Sequence, residues 1–363
     1  MSLNQGPGHG SGSFFRQSRL TGLASGPREP LLGALIVLLI LLVGLRAPAF
    51  LTLRSMDNLL TDSALPIMLA LTQMLVIVTR GIDLSVASNL ALSGMMSALL
   101  AMHFPELPIG LVIAAALCIG LVLGLINGWL IGYLSLPPIV VTLGSMSVYR
   151  GLVFVLSGGA WVSSRNMPAD FVAFPLGRLM GLTHLVWLAA GAVLALWYVA
   201  RYTRFGRDLY AIGNDPVAAG YVGIATPKRL FWTYGLSGAM AGLCGYLWVA
   251  RYAVAYTEIA YGFELTVIAA CVIGGISIAG GVGNISGAVL GALFLAVINN
   301  ALPMVQISPF WQSALTGLVI LSAVIINARG EKKRNKQILP LHFHTEPSVE
   351  LTANTAHVAR TSS

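Results

Sequence analysis

Ten predominantly apolar stretches divide the chain, near 30–50, 62–79, 84–102, 108–133, 139–157, 183–200, 230–252, 262–279, 284–302 and 309–328, with polar connections between them. Each is close to the ~20 residues an α-helix needs to cross a hydrocarbon layer ~30 Å thick. Backbone groups in such a layer must be satisfied within the protein, and for apolar runs of this length the helix does so. The pattern predicts an all-α polytopic membrane protein with about ten transmembrane helices. The expected organisation is a disordered tail over 1–28, a transmembrane domain over 29–328 with a long loop at 201–229, and a basic disordered tail over 329–363.

Composition agrees: 56% of residues are hydrophobic and 9% are charged, against about 25% charged in soluble domains. With the N-terminus placed inside, fifteen of the 21 Lys and Arg fall in inside segments, five fall outside, and Arg150 lies within a span. This bias places both termini in the cytoplasm of a multi-pass protein. It also accounts for the net charge of +8: basic loops face anionic membrane lipid, and no nucleic-acid partner is needed. The first apolar run, with 47-APA-49 behind it, has features of a signal peptide, but its long polar lead favours an uncleaved helix. Cys118, Cys244 and Cys271 all sit in apolar runs, which predicts buried thiols and no disulfide framework. The six scattered histidines give no metal spacing.

Glycines recur at four-residue intervals in two spans: Gly120, Gly124, Gly128 and Gly132 in the fourth, and Gly283, Gly287 and Gly291 in the ninth. Each set lines one helical face, where small residues let backbones approach closely in lipid. Generic packing is the plain reading, and a sliding face for a moving transporter is the sharper one. Spans two to five and seven to ten both carry the glycine ridge third, and the two groups start on opposite sides. That is the arrangement of an inverted repeat.

Polar residues at or within apolar runs are the candidates for a substrate path or gate. Asp83 reads as an N-cap for a helix starting at Leu84. Asn127 sits beside the glycine ridge, where interhelical hydrogen bonding competes with polyol recognition. Arg150 and Glu264 have opposite sign and similar expected depth below the outer surface, which makes them a candidate ion pair. In the inside loop 204-RFGRDLYAIGNDPVAAGYVGI-224, Asp215 is a natural N-cap and Pro216 a natural first helical residue. A short exposed helix through Ala218 and Ala219, ended by Gly223, is something a partner protein can hold. 156-LSGG-159 has the letters of an ATPase signature, but the chain has no G-x-x-x-x-G-K-[ST] loop, G-x-S-x-G elbow or H-E-x-x-H pair, so no catalytic residues are assigned.

Four ordered blocks, 81-GIDLSVAS-88, 125-LINGWLI-131 with 137-PPIVVTLGSMSVYRGL-152, 204-RFGRDLYAIGNDPVAA-219 and 262-GFELTVIAACVIGGISIAGGVGNISGAVLGA-292, give a resemblance from about 60 to 328. The chain resembles the permease subunits of bacterial ABC importers for ribose, xylose, rhamnose and related sugars, with a sister branch for autoinducer-2. The blocks 248-WVARYAVAYTE-258 and 308-SPFWQ-312 look nearest to rhamnose-type permeases. The resemblance implies an inner-membrane permease dimer, of two copies or two paralogues, which works on ATPase subunits and takes a monosaccharide from a periplasmic binding protein. ATP and Mg would be bound by the ATPase, with no cofactor on this chain. Gly213, Asn214, Asp215, Pro216, Ala218, Ala219 and Gly223 would belong to the ATPase-coupling helix. That family's usual Glu at its start is replaced by Val217, which puts a salt bridge there in doubt. An ion-coupled secondary transporter is the rival reading; it lacks a membrane-embedded acid or histidine relay.

Overall fold

The computed structural model describes residues 28–306 and a few positions between 311 and 321. Most of the tenth expected span, 309–328, and the two polar tails lie outside the described residues. Twelve α-helices follow one another among the described residues: α1 Arg28–Arg46, α2 Leu53–Val78, α3 Val86–His103, α4 Ile109–Gly132, α5 Pro138–Ser157, α6 Ala169–Leu176, α7 His184–Tyr202, α8 Arg204–Asn214, α9 Pro216–Tyr221, α10 Thr226–Tyr252, α11 Phe263–Ile273 and α12 Ile285–Met304. Seven of them (α1 to α5, α7 and α12) are long and apolar enough to cross a membrane. The protein is all-α and polytopic.

Three spans differ from expectation. The seventh expected span, α10, is a continuous helix but is not one of those seven, because basic, hydroxyl and glycine residues dilute its apolar character. The second begins nine residues earlier, at Leu53, because Asp57, Thr61 and Asp62 dilute the apolar pattern of a helix that is nonetheless continuous. The eighth is no full span: α11 stops at Ile273, and 274–284 runs on as irregular backbone. Gly275, Gly280 and Gly281 there have φ of 86°, 87° and 72°, a left-handed conformation that ends a helix and that glycine adopts without strain. Irregular backbone at this depth is tolerated where protein covers it. Here the Gly281 N–H donates to the carbonyl of Val78 at 2.9 Å.

The core is organised around α10. Along one side it packs on α4, and along another on α3. The approach to α4 is backbone on backbone. A Cβ at Gly120 would come 2.6 Å from the Gly242 Cα, and one at Gly124 2.8 Å from the Gly238 Cα. Gly128 and Gly132 lie in the same way against the backbone of Phe231 and Pro227. In the other half α12 packs along α2, and α11 along α2 and α12. The fourth span thus lies on the seventh as the ninth lies on the second, the exchange that an inverted repeat requires. The ninth-span ridge is shorter than its spacing suggested. Gly283 precedes the helix, whose N-cap is Asn284, and only Gly287 and Gly291 meet a neighbour's backbone, at Gly274 and Ala270.

Of the three cysteines, Cys244 and Cys271 are buried but Cys118 is exposed on α4. The expectation of three buried thiols fails there because α4 buries only its glycine face; its other faces are apolar and open.

At the end of the bundle where α2 starts, β1 (Val162–Ser163) pairs with β4 (Val254–Ala255), and β2 (Arg178–Leu179) with β3 (Leu182–Thr183). Together with α6 they form a small cap, here called the far end. The near end, where α1 starts, carries α8 and α9.

Candidate functional site

The near end is built from the loop 203–225, which holds two helices. Thr203 caps α8 by accepting the Gly206 N–H. The α8 sequence ends at Gly213 and Asn214, and Asp215 then caps α9, accepting the N–H groups of Val217 at 2.9 Å and Ala218 at 3.1 Å. Pro216 occupies the first turn of α9 and Gly223, at φ 82°, follows it. Val217, Tyr221 and Val222 are 66%, 88% and 76% exposed, whereas Ala219 is 3% exposed. The face offered outward is therefore Val217, Tyr221 and Val222, and Ala219 is turned into the protein. The N-cap and proline fixed the helix in sequence, but six residues are too few for periodicity to tell its inner face from its outer one.

Gly213 is the point at which α8 meets both halves of the bundle. Its Cα lies against the Val78 carbonyl at the end of α2, and a Cβ there would come 2.5 Å from the Gly281 nitrogen. Arg80, held at φ 67°, completes the junction. Its Nε donates to the Gly213 carbonyl and its Nη2 to the Asn214 carbonyl, both at 2.7 Å. A cation is favoured at a helix C-terminus by the exposed carbonyls and the helix dipole. Tyr210 on α8 donates its hydroxyl to the Gly283 carbonyl at 3.0 Å. Burial pushes the Tyr210 phenol up from its ordinary value, so it remains a donor. The 78–81 turn, the 280–283 turn and α8 thus form one joint directly behind α9.

Asp83 and Asn127 are brought together, but inside the subunit. Asp83 is 3% exposed and Asn127 1%. Asp83 Oδ1 accepts the Ser85 hydroxyl at 2.6 Å and the Ser85 N–H at 3.0 Å, and Oδ2 accepts the Ser237 hydroxyl at 3.0 Å. Asn127 Nδ2 donates to Ser85 Oγ at 2.8 Å, and its Oδ1 accepts Ser145 Oγ at 2.5 Å. These bonds tie α3, α4, α5 and α10 through one buried network. Asp83 is not the cap of a helix starting at Leu84. The helix starts at Val86, and Asp83 instead closes the turn before it. Ser145 and Ser237 are not legible in the sequence, since a lone serine in an apolar run carries no pattern.

Arg150 and Glu264 do not form an ion pair within 4.0 Å; among the described residues the ion pairs are Arg178–Asp57, Arg229–Asp208 and Arg251–Asp62. Arg150 instead donates from Nη1 to the Ile259 carbonyl at 2.6 Å, with its guanidinium 5.7 Å from the Tyr261 ring centre. A planar fork of five donors suits a backbone carbonyl as well as a carboxylate, and equal depth in two spans does not bring their faces together.

Among the described residues no group of three or more His, Cys, Asp or Glu could hold a metal ion. What the arrangement offers is mechanical: a short exposed helix, a joint behind it, and smooth glycine seams between long helices.

The sequence profile of the family described as "Branched-chain amino acid transport system / permease component" matches residues 55–324. The chain belongs to this permease family. It is 35% identical over 333 residues to the galactose/methyl galactoside import permease protein of Escherichia coli K12, covering 86% of this chain and 96% of that one. The corresponding protein of Salmonella typhimurium LT2 is 35% identical over 332 residues, with the same coverage. The autoinducer 2 import system permease protein of Shigella flexneri is 34% identical over 297 residues, covering 81% of this chain and 85% of that one. No solved structure gives a significant match.

Proposed function

We infer that this chain is the membrane-spanning permease subunit of an ATP-driven importer of a monosaccharide, of rhamnose or pentose type. It works in the bacterial inner membrane as a dimer with a second copy or a paralogue. Its partners are an ATPase subunit, which supplies ATP and Mg, and a periplasmic binding protein, which delivers the sugar. The observation that carries the reading is α9: a capped, six-residue helix whose outward side chains, Val217 and Tyr221, are large and uncovered, as is Val222 just after it. Apolar side chains of this size at a water-exposed loop mark a protein contact. The relatives' names supply the class of cargo, since they are import permeases for galactosides and for autoinducer 2.

On this reading the end bearing α8 and α9 faces the cytoplasm, in keeping with the basic bias of that side. Closure of the ATPase pair on ATP displaces α9, and the joint at Gly213 passes the displacement to the inner ends of both halves. The bundle then exchanges two packings along its glycine seams, one open inward and one outward. This chain hydrolyses nothing in that cycle. The test is co-purification. Tyr221→Glu places a charge in the contact and should release the ATPase while the permease stays folded. Wild-type ATPase recovery with Tyr221→Glu and Val217→Glu combined would rule α9 out as the docking element.

A further inference from the structure

The far half of the bundle holds a cavity of about 240 Å³ between α2, α10, α11 and α12. Of the residues discussed so far as site candidates none lines it; Asp62, already met as the ion-pair partner of Arg251, does. Its wall is mixed in a particular way. Trp248, Tyr252 and Phe263 supply aromatic faces, with Trp248 5.3 Å from Tyr252 and 5.1 Å from Phe263 between ring centres. Asp62, Asn299 and Asn300 supply polar atoms from two other helices. Counted along α2, α10 and α12 at 1.5 Å per residue, the cavity's lining runs from the far end, at Tyr252, to roughly 20 Å below it, at Pro66.

We propose that this cavity is a monosaccharide-binding subsite within each permease subunit. The chemistry of the wall selects the ligand class. A pyranose presents an apolar C–H face, which suits an aromatic platform, and a rim of hydroxyls, which suits carboxylate and amide partners that accept and donate in fixed directions. A cavity of 150 Å³ is enough for benzene, so 240 Å³ leaves room for a six-membered ring with its hydroxyls. The Asp62 carboxylate is already neutralised by Arg251, at 3.0 Å. The pair therefore offers a neutral guest hydrogen bonds without a net charge. Arg251 also keeps one buried donor, Nε, without a partner, beside the carboxylate that lines the cavity.

Asn299 is exposed on α12 and Asn300 is half-buried beside it, about 6–8 Å inside the far end of a span. Amides at that depth are costly against lipid tails and belong on a wet or protein-facing surface. A sugar entering from the far side would meet this cavity before it reached the Gly213 joint at the other end.

The proposal rests on the sugar-importer reading, and its test separates the two. In a Cys118→Ser background, Asn300→Cys places a thiol on the cavity wall of the chain in lipid nanodiscs; Asn299→Cys is the substitute if the first variant expresses poorly. Labelling by a small, water-soluble maleimide is timed with D-galactose, D-ribose, L-rhamnose or L-leucine. One of the sugars, at about four times its Kd, should slow labelling about fivefold, and leucine should not. Trp248→Leu should abolish that protection while the thiol still reacts. No protection by any sugar, from a chain that imports one of them with its ATPase and binding protein, would overturn the subsite and leave the importer standing. Protection and import of leucine alone would overturn both. A thiol that reacts in detergent but not in nanodiscs, with or without sugar, would mean that lipid or a second copy fills the cavity, and would overturn the subsite.

Discussion

Replacing Gly124 by alanine tests the seam that organises the bundle. The added Cβ would lie 2.8 Å from the Gly238 Cα and would overlap the Tyr234 carbonyl oxygen. Both obstacles are backbone, so neither can rotate away. Carbon pairs rest at about 3.5–4.0 Å, so α4 and α10 must part locally by about 1 Å, and a gap of that size forfeits a quarter to a half of each contact it opens. If the affected stretch holds as many contacts as one buried leucine, ~40 pairs at ~0.15 kcal/mol, the loss is about 2 kcal/mol. Alanine returns up to ~1 kcal/mol of helix propensity. The net destabilisation is then about 1 kcal/mol. Gly144 on α5 is the control, because a Cβ there meets nothing within 4 Å. Gly144→Ala should be neutral or slightly stabilising, so the two variants should differ by about 2 kcal/mol, the packing term alone. Reversible unfolding of both in mixed micelles measures that difference. Equal stabilities would refute the backbone seam, and a more stable Gly124→Ala would mean that propensity outweighs packing here.

Arg80→Ala removes both bonds to the end of α8 and should uncouple the joint: ATP hydrolysis by the assembled complex continues while uptake falls severalfold, and Arg80→Lys restores only part of it. Arg150→Met should cost about 1.5–3 kcal/mol, the range for a hydrogen bond involving a charged group. Glu264→Gln should cost less than ~0.5 kcal/mol, with the double variant additive within about 0.5 kcal/mol; a larger coupling in melting experiments would restore an ion pair. Tyr210→Phe removes the bond to Gly283 and should destabilise by about 0.5–1.5 kcal/mol. Its effect should be flat across neutral pH because the phenol stays protonated, and a stability difference that changes between pH 6 and 9 would contradict this.

Much of the fold was legible because hydrophobic length is a direct physical requirement of the bilayer. The limits of α4, α5 and α12 were within two residues of those read from apolar runs. Legibility failed where that requirement is relaxed. Polar Asp57 and Asp62 sit in the early turns of α2 against ion-pair partners, and apolar 274–279 is not helical because Gly275 takes a left-handed φ of 86° just after Gly274, whose backbone lies against Gly287 of α12. The α4 ridge is visible as spacing, and its partner shows the same four-residue spacing only in the pair Gly238 and Gly242 of α10, too short a run to name the seam. The Asp215 cap was visible because local chemistry dictates it. The cavity was invisible because α2, α10, α11 and α12 bring its wall together from positions between 62 and 300.

The central claim, that this chain conducts a sugar under the control of an ATPase held at α9, is tested most directly by reconstitution. The permease, its ATPase and its binding protein are placed in proteoliposomes, and uptake of labelled D-galactose, D-ribose and L-rhamnose is followed. The account predicts uptake of one of these that requires ATP and the binding protein and is lost with Val217→Glu and Tyr221→Glu together. Uptake by the permease alone, driven by a sodium or proton gradient and indifferent to those two substitutions, would contradict it.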